Sequence, residues 1–187
     1  FAYASLSIMY LMFWKFYPIL SLSVFITITI IHWGQGDRYL CFKLFKCNYL
    51  LGSQLISILN ILLKGSIPIL ISIYSNIYFF YSFLESLLKE LGHQVCDLSL
   101  LLNYRYLFLL IPILLLVSYI TCLTYHYWRF SKSNINGIFF DIIETVFLFV
   151  WFLILPTSLS LGFYFLFWHS LRHAIRIINI DGKSLID

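Results

Sequence analysis

The sequence predicts an all-α protein, a polytopic transmembrane bundle of about six to seven apolar helices forming one integral-membrane domain over residues 1–187. Three observations predict it. Hydrophobic residues fill 61% of the chain and charged residues only 11%, against roughly a quarter charged in a soluble domain. Mean hydropathy is +0.92. Apolar runs recur along the chain, several near the roughly 20 residues that a membrane helix needs. A surface of this composition must face lipid, and an aromatic content of 20% supplies broad apolar area for it.

In chain order, residues 1–14 form a first apolar run that Lys15 and Pro18 interrupt. The chain opens on Phe1, with no basic leader and no small-residue cleavage site. The first run therefore reads as a helix entered part-way, and the chain as a piece of a longer protein rather than one led by a signal peptide. Pro18 opens a second span, 18–33, as Pro does at a first helical turn. Gly34 and Gly36 of "HWGQGD" then suit a tight turn, and residues 38–48, with Arg38, Lys43 and Lys46, read as a basic linker. Residues 49–63 are a shorter apolar stretch, spanning or re-entrant. In "LLKGSIPIL", Lys64, Gly65 and Pro68 mark a boundary before a fourth span, 67–84.

Residues 85–103, with Glu85, Lys89, Glu90, His93 and Asp97, read as an interfacial helix end and loop. The fifth span is 104–124. "HYWRFSKSNING" is a polar connector whose aromatic and basic residues suit the headgroup zone. The sixth span is 137–155, closed by Pro156, and the seventh is 157–178, before a short polar tail. Loop charges leave the orientation open. The net charge of +4 is carried by scattered basic residues, which excludes a nucleic-acid-binding stripe. The four cysteines, Cys41, Cys47, Cys96 and Cys122, have no CxxC spacing and read as apolar fillers.

An ionisable group inside a membrane span is costly and points to a partner or a function. His169 and His173 stand four residues apart in "YFLFWHSLRHAIRII". Four residues turn a helix by about 400°, so both rings leave one face about 40° apart. That geometry lets two imidazoles converge on one metal ion. The alternative is a helix end at the interface, with Arg172, His173 and Arg176 reaching toward headgroups. His32 ends the second span, and Asp37 is placed to orient an imidazole through its other nitrogen. Asp141 and Glu144 share a face of the sixth span. Asp141 suits a helix start, whereas the deeper Glu144 is a candidate partner for a metal-bound histidine. His93 and His126 read first as interface residues.

With these residues in view, the sequence resembles the Brp/Blh family of integral-membrane β-carotene dioxygenases. "LPTSLSLGFYFLFWHSLRH" is similar to the family's C-terminal signature, carried here by Pro156, Tyr164, Phe165, Trp168, His169, Ser170, Arg172 and His173. "IHWGQGD" resembles its second histidine motif, at His32, Trp33, Gly34 and Asp37, and "LLKGSIPIL" the glycine-proline segment beyond it. Glu144 matches the acidic residue upstream of the final signature. An earlier histidine-aspartate motif has no counterpart before His32. Either the chain begins after it, the preferred reading, or His32 is itself that first motif.

The resemblance implies iron(II)-dependent cleavage of β-carotene by O2 at its central double bond, giving two molecules of retinal in a multi-pass protein of the cell membrane. It implies iron held by His32, His169 and His173, with Asp37, Glu144 and Arg172 supporting those ligands. It makes Trp33, Tyr164, Phe165 and Trp168 candidates for the polyene pocket, and a retinal-binding opsin the user of the product. Imidazole suits iron among other borderline metals. Two other classes compete. One is a non-catalytic carrier or complex subunit, which has no need of both histidine motifs. The other is a di-metal desaturase, which needs about eight histidines where this chain has five.

Overall fold

The computed structural model describes residues 2–93, 99–130 and 135–184. Cys96, Asp97 and residues 131–134 of the expected connector lie outside them. The described residues are helical with short joins and no strand. In order they form α1 (Ala2–Phe16), α2 (Pro18–Phe45), α3 (Tyr49–Gly52) and α4 (Gln54–Ser66). A π-helical segment, Ile67–Ile71, leads to α5 (Ser72–Ser75) and α6 (Ile77–Glu90). Then come α7 (Ser99–Asn103), α8 (Arg105–Phe130), α9 (Ile135–Ile154) and α10 (Thr157–Phe163). A second π-helical segment, Tyr164–His169, runs into α11 (Ser170–Ser184).

Among the described residues, four stretches are long and apolar enough to cross a membrane: Pro18–Lys43, Gln54–Ser75, Arg105–Arg129 and Ile135–Ile154. Large apolar side chains along them, such as Phe25, Leu114 and Phe147, point outward, as a lipid-facing surface requires.

Three sequence expectations about boundaries are overturned. The linker at 38–48 is mostly helix, because α2 continues through Phe45 and ends only at Lys46, whose φ of 54° is left-handed. Gly34 and Gly36 make no turn, since both lie inside α2. A Cβ on Gly34 would stand 1.9 Å from the Ile61 carbonyl oxygen, and one on Gly65 would stand 1.8 Å from that of Ile30. These glycines let the backbones of α2 and α4 touch at two points, the small-residue packing that membrane helices use in place of a hydrophobic drive. Finally, Lys64, Gly65 and Pro68 do not separate two spans. Pro68 lacks the N–H that would bond to Lys64, and its ring crowds that carbonyl. The helix widens into the π-helical turn at Ile67–Ile71 and continues.

The core gathers between α2, α4, α8 and α9. It holds Leu63, Ile67, Ile71, Tyr119, Leu148, Phe152 and Tyr164. The segment from Thr157 to Ser184 packs back onto α2 and α9, which carries the final histidine pair to His32.

Candidate functional site

His32 comes from α2, His169 closes the second π-helical segment and His173 lies in the first turn of α11. The ring centroids of His32 and His169 are 6.3 Å apart. Those of His169 and His173 are 6.4 Å apart, with planes only 9° from parallel. All three imidazoles line one cavity with Gly36, Asp37, Arg172 and Arg176. It measures about 20 Å³, room for roughly one water-sized occupant.

The π-helical turn sets the aim of His169. One inserted residue rotates the rest of the helix by about 100° relative to an uninterrupted α-helix. Ser170 secures the widened turn, because its backbone N–H and its hydroxyl both donate to the Phe165 carbonyl, the hydroxyl at 2.5 Å. Trp33 and Phe165 flank His169, with ring centroids 5.9 Å and 5.8 Å from it.

Behind the imidazoles lies a buried charge network. Arg172 donates to Asp37 Oδ1 at 2.9 Å and also contacts Glu144. Its guanidinium lies 4.5 Å over the Trp168 ring. Lys64 Nζ stands 2.8 Å from Glu144 Oε2 and 2.5 Å from Asp141 Oδ1. Lys64 and Asp141 have no exposed surface. Asp141 Oδ2 accepts from Tyr49 at 3.0 Å, from Asn60 at 3.3 Å and from the Tyr119 hydroxyl. Cys41 donates its thiol to Asp141 at 3.3 Å, and its sulfur lies 2.8 Å from that of Cys47. Asp37 Oδ2 is buried with no hydrogen-bond partner among the described residues.

The structure thus brings His32, His169, His173, Asp37 and Arg172 to one cavity, and places Glu144 behind it through Arg172. The four aromatic candidates divide. Trp33 and Phe165 line an apolar groove of about 270 Å³ that runs past Pro68 and Phe80 to Asn76 and Thr157. Tyr164 and Trp168 line a separate cavity of about 190 Å³ with Phe147 and Phe163. Trp168 also serves as the platform under Arg172. Asp141 is no helix-start carboxylate but the hub of the buried network. Cys41 is more than an apolar filler, since it donates to that hub. His93 and His126 do not line the imidazole cavity; His93 Nε2 is 2.6 Å from the Lys15 carbonyl oxygen. Sequence reading missed Lys64, Asn60, Tyr49 and Tyr119. A lysine inside an apolar run was the available signal, masked by the glycine and proline beside it.

The residues suit a metal by donor chemistry, since neutral imidazoles ligate borderline divalent ions. Among the described residues, no three His, Cys, Asp or Glu side chains already stand as a metal-binding group.

The comparison that decides the family covers residues 1–186, which match the model described as β-carotene 15,15'-dioxygenase. The chain belongs to that family. It is also 28% identical over 170 residues to a protein of Halobacterium salinarum described as probable β-carotene 15,15'-dioxygenase Blh. That alignment takes in 91% of this chain and 48% of the relative, so the chain spans about half the length of the curated relative it matches. No solved structure matches it. Within this family member, both histidine motifs of the sequence resemblance converge on the 20 Å³ cavity.

Proposed function

We propose that this chain carries out, within a cell membrane, the oxidative cleavage of β-carotene at its central double bond. One O2 is consumed, the double bond breaks, and each of its two carbons becomes the aldehyde of a retinal molecule. The observation that carries the reading is the meeting of three imidazoles, from two motifs far apart in the chain, beside an apolar groove.

His32, His169 and His173 would hold iron(II), which supplies the oxygen chemistry when bound. Behind the cavity, Lys64 and Arg172 pair with Asp37, Asp141 and Glu144, and with Arg176 at the cavity wall these groups balance in their ordinary ionised forms. Arg172 anchors Asp37 through Oδ1, which leaves Oδ2 able to accept from the outer N–H of a ligating imidazole and hold its tautomer. Trp33 and Phe165 continue the groove up to His169, so a polyene lying there brings its chain to the imidazoles while its length stays out of water.

The test uses cells that accumulate β-carotene, expressing the chain alone and joined to an upstream segment bearing a further histidine motif. Retinal extracted with loss of orange colour is the expected result from at least one of them. His169→Ala should lower it by about a hundredfold or more with membrane insertion unchanged. Absence of retinal from both, with insertion confirmed and iron supplied, overturns the function. Equal retinal from the variant overturns the iron assignment alone.

A further inference from the structure

A second polar cavity, of about 270 Å³, opens beside the imidazoles and is not used by the proposed chemistry. Arg38, Arg176 and Gln35 form its polar side, and Phe42, Leu50 and Ile61 its apolar side. Among the described residues, no carboxylate lines it. Arg38 is held by one bond of 2.5 Å to Ser57, and the Arg176 guanidinium lies 5.4 Å over the Tyr39 ring. Neither arginine has an ion-pair partner among the described residues, and both are half-buried. Two guanidiniums that share a cavity repel each other, and a bound anion would relieve that repulsion.

Depth favours one class of anion. Arg38 precedes Lys43, where the apolar span ends, by about 7.5 Å of helix rise. A bilayer matched to that span would set Arg38 near the boundary between headgroups and acyl chains. Basic pockets between helices at this depth bind lipid headgroups, and the guanidinium fork matches phosphate oxygens in pairs. We propose that this cavity is a binding site for an anionic phospholipid, with the phosphate between Arg38 and Arg176 and the glycerol and upper acyl chain against Phe42, Leu50 and Ile61. The apolar wall favours a lipid over free phosphate, which would leave it wet. Arg176 lines both this cavity and that of the imidazoles, so an occupant would fix one wall of the neighbouring site. The inference does not rest on the proposed reaction.

The test is native mass spectrometry of the full chain in neutral detergent, with added phosphatidylglycerol or phosphatidylcholine. Phosphatidylglycerol should be retained about tenfold more than phosphatidylcholine. R38Q/R176Q should lose the difference, K46Q, which removes an exposed charge near the end of the same helix, should keep it, and excess inorganic phosphate should not displace the lipid. Equal retention of both lipids overturns the site. An equal loss in K46Q overturns it in favour of general surface attraction. Displacement by phosphate overturns the lipid in favour of a free-anion site. Should R38Q/R176Q fail to insert, R176Q alone leaves the Ser57 bond intact and is read the same way.

Discussion

At the scale of single residues, Lys64 is a fully buried cation. It sits without exposed surface between Asp141 and Glu144. Removing one partner of such a cluster leaves buried charge uncompensated, at a cost of about 3–5 kcal/mol. Lys64→Met should therefore lower the thermal midpoint sharply in detergent. Adding Asp141→Asn should restore part of the loss, since the two residues are directly coupled. Additive losses in that double variant would show that the contact contributes nothing. The histidines were legible in the sequence because few ionisable groups interrupt its apolar runs. Lys64 was not, because a lysine followed by glycine and a nearby proline has the same local pattern as a loop.

Among the elements, α2 and α4 decide the geometry. Their backbones touch at Gly34 and Gly65, and α2 carries His32 and Asp37 while α4 carries Lys64. Gly34→Ala forces backbone apart and should cost about 3 kcal/mol or more. Gly36→Ala, with open space around its Cβ, should be neutral or stabilise by up to about 1 kcal/mol. Melting curves of the two variants separate a helix-crossing role from the tight turn that the sequence suggested. The second π-helical segment is an element-level device too. Ser170→Ala removes the hydroxyl bond to Phe165, at a cost of about 1 kcal/mol. Retinal yield should fall several-fold as His169 loses its aim, with insertion unchanged. A full yield would show that the backbone alone holds the turn.

On the scale of the whole molecule, the apolar groove and the imidazole cavity are neighbours, because Trp33 and Phe165 line the first and flank His169 of the second. The groove runs from Asn76 and Thr157, past Phe80 and Pro68, to Trp33 and Phe165 beside His169. Ile73 lines it and does not line the imidazole cavity. Ile73→Trp should obstruct the groove and raise the KM for β-carotene about tenfold, equivalent to roughly 1.4 kcal/mol of binding. Metal content should stay unchanged. Unaltered kinetics in vesicles would move the polyene to the cavity lined by Tyr164 and Trp168.

The sequence by itself determined the class of solvent and the family. An 11% charged chain has no choice but lipid, and the two histidine motifs are local patterns that survive without knowing the fold. It also determined that the apolar runs would be helical, because an unpaired backbone cannot be left in hydrocarbon. Only the tertiary structure decided where helices stop, which side chains meet and which charges balance. Helix ends in lipid are set by packing more than by turn residues, so α2 runs through a glycine-rich stretch and the π-helical turn carries the chain past Pro68. The union of His32 with His169 and His173, and of Lys64 with Asp141, joins residues far apart in the chain. Such contacts exist only once the backbones of α2 and α4 have closed on each other through glycine.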